Sequence, residues 1–140
     1  MRIYTDGATQ KLNGRYANPG KGGWSCILLD DDIQEVSGSM PIETTNNRME
    51  LLAVVVGLNT APAGSNVTVC TDSEYVIRVW NRALRGRVWN KNDDFRVPLL
   101  EAIGRHRATS IEWVRGHNGD VWNERADVLA QSEAGREYEV

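Results

Sequence analysis

Apolar positions recur along the chain with two different periods, and each change of period predicts a new element. Arg2 to Ala8, Trp24 to Leu29 and Ile33 to Met40 read as three strands. Asp30-Asp31-Asp32 joins the last two and is short enough for a hairpin turn. The polar, Gly-rich run from Thr9 to Gly23 reads as a loop, with Asn18-Pro19-Gly20 as its turn. From Asn47 the period becomes helical: Met49, Leu52, Ala53 and Val56 share one face, and Leu51, Val55 and Leu58 widen it. A strand from Asn66 to Asp72 follows, with Val67 and Val69 on one face, then a helix from Ser73 to Leu84 carrying Tyr75, Val76, Val79 and Trp80. Arg85 to Phe95 is basic, Trp-containing and irregular. Arg96 to Arg107 reads as helix, Ser110 to Arg115 as strand and Val121 to Ala134 as a final helix.

The predicted order is β-β-β-α-β-α-α-β-α. Three strands with short links form an antiparallel meander, and two later strands separated by helices join it in parallel. The fold class is therefore α/β, a five-stranded mixed sheet with helices on both faces. At 140 residues the chain is the size of one domain, taken as residues 1–140, without internal repeats or a linker. No stretch reaches the roughly 18 apolar residues of a membrane span, and the longest apolar run, Leu51 to Val56, stops at Gly57. The first residues lack a charged-then-apolar leader, so the expectation is a cytoplasmic protein without membrane partners, working as a monomer. Cys26 and Cys70 lie in apolar, strand-like runs without nearby His, which suits buried thiols better than a zinc site.

Charge changes this picture by its distribution. The chain is −3 overall, yet residues 78 to 115 carry nine basic and four acidic side chains, a net +5, leaving the remainder at −8. If four carboxylates are neutralised by metal, 16 positive and 15 negative groups remain, and the global charge is no obstacle to binding phosphate.

Those four are Asp6 inside a strand, Glu50 early on an apolar helix, Asp72 at a strand end and Asp127 on the last helix. Each has a structural alternative. Glu50 stands three residues after Asn47, the spacing of a capping box, Asp72 before Ser73 suits a helix N-cap, and Asp127 one turn after Asn123 suits a solvated helix face. Asp6 is harder to excuse, because a charge pointing into a sheet is costly unless it is paired or metal-bound. If the first strand lies beside the 67–72 strand, Asp6 and Asp72 meet at one sheet edge, where the helix of Glu50 starts and the last helix passes. Clustered anionic oxygens call for a hard divalent ion, with Mg²⁺ the natural candidate.

Tyr4-Thr5-Asp6-Gly7-Ala8, Thr44-Thr45-Asn46-Asn47-Arg48-Met49-Glu50-Leu51, Cys70-Thr71-Asp72-Ser73-Glu74-Tyr75-Val76, Trp113-Val114-Arg115-Gly116-His117-Asn118-Gly119 and Asn123-Glu124-Arg125-Ala126-Asp127 resemble, in that order, the type 1 ribonucleases H. The run Thr-Asn-Asn-Arg-Met-Glu is specific to that family, whereas a lone Thr-Asp-Gly would be weak. The resemblance implies a ribonuclease H-like fold and an endonuclease that cuts the RNA strand of RNA–DNA hybrids, leaving 5′-phosphate and 3′-hydroxyl ends. It implies two Mg²⁺ ions, replaceable by Mn²⁺, held by Asp6, Glu50, Asp72 and Asp127. Asp6 would bridge both ions, Asp127 would serve the one that activates water, and Glu50 and Asp72 the one beside the leaving oxygen. His117 would assist water activation or product release.

For the substrate, the resemblance points to Asn18, Asn46 and Asn47, with backbone near Gly7 and Ala8, as readers of the 2′-hydroxyl, and to Thr45 and Arg48 as a pocket for a DNA-strand phosphate. The basic segment from Arg78 to Arg96, with Trp80, Arg82, Arg85 and Arg87, is similar to the family's hybrid-binding protrusion, but it is shorter and contains Asp93-Asp94. The Thr9–Asn18 loop is extended and Glu74 stands where many relatives have Gln, two further departures. Competing readings are a DNA nuclease or strand-transfer enzyme on a related fold, against which the Asn-rich motifs and small size weigh, and a hybrid-binding module that does not cut. Four carboxylates oppose the latter, since pure binding favours removing negative charge from a phosphate site.

Overall fold

Alternation along the strands sorts the core onto two faces of one sheet. The computed structural model describes residues 1–116 and 119–136. β1 (Arg2–Thr9), β4 (Gly20–Leu29), β5 (Ile33–Thr44), β6 (Asn66–Thr71) and β7 (Ala108–Trp113) form a five-stranded sheet in the order β5-β4-β1-β6-β7. The pairs β5–β4 and β4–β1 are antiparallel, and β1–β6 and β6–β7 are parallel. Ile3, Cys26, Leu28 and Val69 bury one face under α1 (Asn46–Thr60), α2 (Glu74–Leu84) and α3 (Arg96–Gly104). Tyr4, Ile27 and Cys70 bury the other against Ala126 of α4 (Val121–Ala134). The mixed sheet and two-sided cover match the expected fold class. Burial pushes the Cys26 and Cys70 thiols up to about 12 and about 11, so both are packing groups. Among the described residues, no helix is long and apolar enough to cross a membrane.

Several boundaries differ from the sequence expectation. The predicted 9–23 loop contains a two-stranded ribbon, β2 (Lys11–Leu12) with β3 (Arg15–Tyr16), and β4 begins at Gly20 rather than Trp24. Asn13 and Gly14 both have positive φ, 53° and 77°, as the tight turn of such a ribbon requires. β5 runs on to Thr44 past a register shift at Lys21/Gly22. α3 stops at Gly104 because the next two side chains turn back: Arg105 Nη1 donates to the Leu58 carbonyl at 2.7 Å, and His106 Nε2 lies 2.7 Å from the same oxygen. They occupy a carbonyl that the end of α1 leaves without an intrahelical partner.

Two caps differ as well, and both bear on the site. Thr45 caps α1, its hydroxyl accepting from Arg48 N at 3.3 Å, so Glu50 is not the acid of a capping box. Ser73 caps α2, its hydroxyl accepting from Val76 N at 3.2 Å, so Asp72 is not the N-cap. The structural alternatives for these two acids are thereby removed.

Candidate active site

β1 is the central strand and carries Asp6 just beyond its last pair with β6, Tyr4 with Cys70. Continuing that parallel register by two residues sets Asp6 beside Asp72. Gly7 provides the approach to α1: a Cβ there would fall 2.3 Å from Glu50 N and 2.4 Å from the Met49 carbonyl carbon. Only a residue without a side chain lets the helix lie this close to the strand, which is what brings Glu50 to Asp6. From the other face, α4 approaches on small residues: Ala130 and Ala134 pack with Ala8, and a Cβ on Gly23 would fall 2.2 Å from the Ala130 carbonyl. This sets Asp127 over the same cleft. The cleft is about 180 Å³ in volume, room for several water-sized groups, and is lined by all four carboxylates with Gly7, Ala8, Tyr16 and Asn46.

Asp6, Glu50 and Asp72 each offer an oxygen, and these oxygens lie within 4.8 Å of one another. Asp6 and Glu50 are buried, at 3% and 8% exposure. Burial first, then the charges of Asp72 and Asp127, pushes the Asp6 carboxyl well above its ordinary range, and burial followed by Asp6 and Asp72 does the same to Glu50. Asp6 Oδ1 accepts from Gly7 N at 2.9 Å, but Asp6 Oδ2 and Glu50 Oε2 are buried with no hydrogen-bond partner among the described residues. Nor do Asp6, Glu50 or Asp127 form an ion pair there. Orphaned carboxylate oxygens beside further carboxylates, all hard donors, fit a divalent cation such as Mg²⁺.

The polar residues expected to touch substrate sit around this cleft in different states. Asn46 Oδ1 accepts from Thr9 N at 2.8 Å and Thr9 Oγ1 at 3.0 Å, while Asn18 Oδ1 accepts from Asn46 N at 3.1 Å, so both side chains also brace β1, α1 and the 9–20 segment. Asn47 is exposed and Ala8 buried. Arg48 is engaged: its guanidinium donates to both carboxylate oxygens of Asp94 at 3.0 and 2.7 Å and lies 4.7 Å from the Phe95 ring centroid. Trp80 is 2% exposed within the hydrophobic core, which corrects its place among the substrate contacts; its ring faces the interior and steadies α2 instead. Arg82 donates to the Val88 carbonyl at 2.7 Å and so shapes the basic segment, whereas Arg85 and Arg87 are exposed. Glu74 is exposed on the first turn of α2. His117 lies outside the described residues.

Sequence reasoning missed Tyr16 and Gln131. Tyr16 is carried by the β2–β3 ribbon to the cleft wall, and the Gln131 amide donates to both oxygens of Asp127 and to the Tyr16 hydroxyl, each at 3.1 Å. The signal for the ribbon was present as Asn13-Gly14, a strong short hairpin signature. Gln131 is four residues after Asp127, the spacing of helix neighbours.

Comparison with known proteins agrees with this geometry. A sequence model of the RNase H family matches residues 1–135. The chain is 44% identical to a ribonuclease H of Paramagnetospirillum magneticum, covering 94% of this chain and 87% of the relative. It is 43% identical to that of Erythrobacter litoralis, covering 96% and 95%. Among solved structures, RNase H1 from the halophilic archaeon Halobacterium salinarum superposes with a TM-score of 0.73 at 26% identity, over 94% of this chain and 95% of that one. LC9-RNase H1, a type 1 RNase H with the type 2 active-site motif, also gives 0.73, at 30% identity over 96% and 71%. With the family match spanning the whole sheet and all four cleft carboxylates, the chain belongs to the RNase H family of nucleases.

Proposed function

We propose that this protein hydrolyses the RNA strand of RNA–DNA hybrids endonucleolytically, with two Mg²⁺ ions held by Asp6, Glu50, Asp72 and Asp127, giving 5′-phosphate and 3′-hydroxyl ends. The observation that carries the reading is the pair of buried oxygens, Asp6 Oδ2 and Glu50 Oε2, without a hydrogen-bond partner among the described residues, in a cleft shared with Asp72 and Asp127. Asp6, Glu50, Asp72 and Asp127 would hold the ions through their carboxylate oxygens, Asp6 from the centre of the cluster. When bound, such ions stabilise both the attacking and the leaving oxygen of an in-line phosphoryl displacement. Mn²⁺, with the same preference for oxygen donors, replaces Mg²⁺.

The rest of the chain binds and orients. Asn18, Asn46 and Asn47, with backbone near Gly7, read the 2′-hydroxyls that distinguish the RNA strand. Thr45 and Arg48 hold a DNA-strand phosphate once Arg48 exchanges Asp94 for it, and Arg85 and Arg87 add phosphate contacts. His117 handles a proton at the water or at the departing product.

The test is incubation with end-labelled RNA–DNA hybrid, RNA duplex, DNA duplex and single strands, in Mg²⁺ and in chelator. The expected result is cleavage of RNA in the hybrid alone, in Mg²⁺ alone. Undiminished cutting in chelator, or equal cutting of duplex DNA, overturns the reading.

A further inference from the structure

The β2–β3 ribbon does more than lengthen a loop. Residues 7 to 29 contain Lys11, Arg15 and Lys21 and no acid, so the segment beside the carboxylate cleft is purely cationic. Lys11 and Arg15 form no ion pair among the described residues. The Lys11 ammonium lies 5.1 Å from the Tyr16 ring centroid. Tyr16 is 45% exposed and forms a wall common to two depressions: the carboxylate cleft, and a neighbouring one bounded by Lys11, Gln131 and Gly135.

Hydrogen-bond bookkeeping fixes the polarity of this wall. Asp127 as a carboxylate only accepts, so the atom of Gln131 that faces it must be the amide nitrogen. That nitrogen has two hydrogens: one is shared by Asp127 Oδ1 and Oδ2 and the other goes to Tyr16 Oη, all at 3.1 Å. Tyr16 Oη is therefore an acceptor toward Gln131, and its own hydrogen is left to donate. This donor stands on the wall of the carboxylate cleft, with the Lys11 ammonium over its ring.

We propose that Tyr16 is a substrate-contacting residue whose hydroxyl donates to a non-bridging phosphate oxygen of the RNA strand next to the cut, and that Gln131 is a positioning residue that holds Tyr16 Oη and the Asp127 carboxylate in fixed relation. This rests on the hybrid-cleaving reading and adds a phosphate contact supplied by the ribbon. The linkage has a chemical logic: one amide orients both a ligand-holding carboxylate and a phosphate donor, so substrate seating and carboxylate geometry are set together.

Two variants and one altered substrate test it. Tyr16→Phe keeps the ring and removes the donor; Gln131→Met keeps the length and removes the amide. Steady-state cleavage of a short hybrid is measured alongside Mg²⁺ binding to the free protein by titration calorimetry, with thermal melts to verify folding. Tyr16→Phe should lower kcat/KM about 10-fold, the size of one lost hydrogen bond to a charged group, and leave Mg²⁺ binding unchanged. Gln131→Met should lower kcat/KM by at least as much and also weaken Mg²⁺ binding. In hybrids carrying one methylphosphonate walked along the RNA linkages near the cut, the Tyr16→Phe penalty should vanish at one position, where the acceptor is already gone. A parent that leaves hybrid intact overturns the functional reading and this proposal with it. A parent that cuts while Tyr16→Phe matches it in kcat/KM, or a penalty unchanged at every methylphosphonate position, overturns only this proposal.

Discussion

Replacing Asp6 by Asn should make the metal-free protein more stable even though it removes a ligand. The Asp6, Glu50 and Asp72 oxygens lie within 4.8 Å of one another. Two unit charges at about 5 Å repel by roughly 3 kcal/mol at an effective dielectric near 20. Relaxation and the partial exposure of Asp72 reduce this, and a net gain of about 1–2 kcal/mol is expected, or a rise in Tm of about 3–8 °C for a domain of this size. Asn keeps the acceptor that Gly7 N uses at 2.9 Å, so the substitution removes charge and little else. The sign with pH follows from the raised carboxyls of Asp6 and Glu50. A folded-state pKa above the unfolded value means that the parent loses stability as pH rises through the folded values. The Asn advantage is therefore full above the raised folded values and shrinks as pH falls through them toward the ordinary carboxylate range. Mg²⁺ should stabilise the parent by binding the folded state, and the variant less. Thermal melts of both proteins at neutral and mildly acidic pH, in chelator and then in Mg²⁺, measure all of this. A parent that melts higher than the variant in chelator and ignores Mg²⁺ would refute a clustered metal site.

Asp6→Asn should also abolish hybrid turnover, whereas His117→Ala should slow it without preventing binding; equal inactivity in single-turnover assays would give His117 a larger part than assigned here. Reversing Arg85 and Arg87 to Glu should weaken hybrid binding and flatten its dependence on salt, read by fluorescence anisotropy from low to moderate ionic strength, and an unchanged slope would make the segment a solvated face. Asp94→Asn should free Arg48 and lower the KM for hybrid several-fold, at a stability cost below about 1 kcal/mol because the pair is exposed; an unchanged KM would mean that Asp94 does not compete with substrate. Gly7→Ala should cost about 3 kcal/mol in urea unfolding or prevent folding, since the new carbon collides with the α1 backbone, and a neutral result would contradict the close packing of strand and helix.

How legible these features were depends on the range of the interaction behind them. The mixed sheet, with its meander and two parallel strands, followed from period and connection length, because Ile3, Val69 and Leu28 had to face helices and parallel strands need crossovers; the place of β1 beside β6 stood only as a condition. The four carboxylates were legible because an acid such as Asp6 in a buried strand has few excuses. What the sequence hid were competitions between partners. Whether Asn47 or Thr45 caps α1 depends on where the helix begins, a boundary that local propensity resolves poorly. Arg48 reads as a phosphate ligand, yet Asp94, distant in sequence, has already taken its guanidinium. Trp80 in a basic segment reads as a surface aromatic, but its helix turns it into the same buried cluster as Leu99. Tyr16 was hidden because the polar, Gly-rich run reads as a loop turning at Asn18-Pro19-Gly20, whereas Asn13-Gly14 makes the tight turn of a ribbon.

The chain order of the four acids has a consequence for the protein's biosynthesis. Asp6, Glu50, Asp72 and Asp127 come from β1, α1, the end of β6 and α4, so no fragment that ends before α4 holds the set. The last of them arrives on a helix that packs on the sheet partly through a row of alanines against Ala8, Gly23 and Ser25, the last donating to the Ala126 carbonyl at 2.6 Å. A nascent chain still missing α4 can pair its five strands and yet lacks Asp127. In the mechanism proposed for these four acids, hybrid cleavage is thus withheld from every folding intermediate until α4 docks.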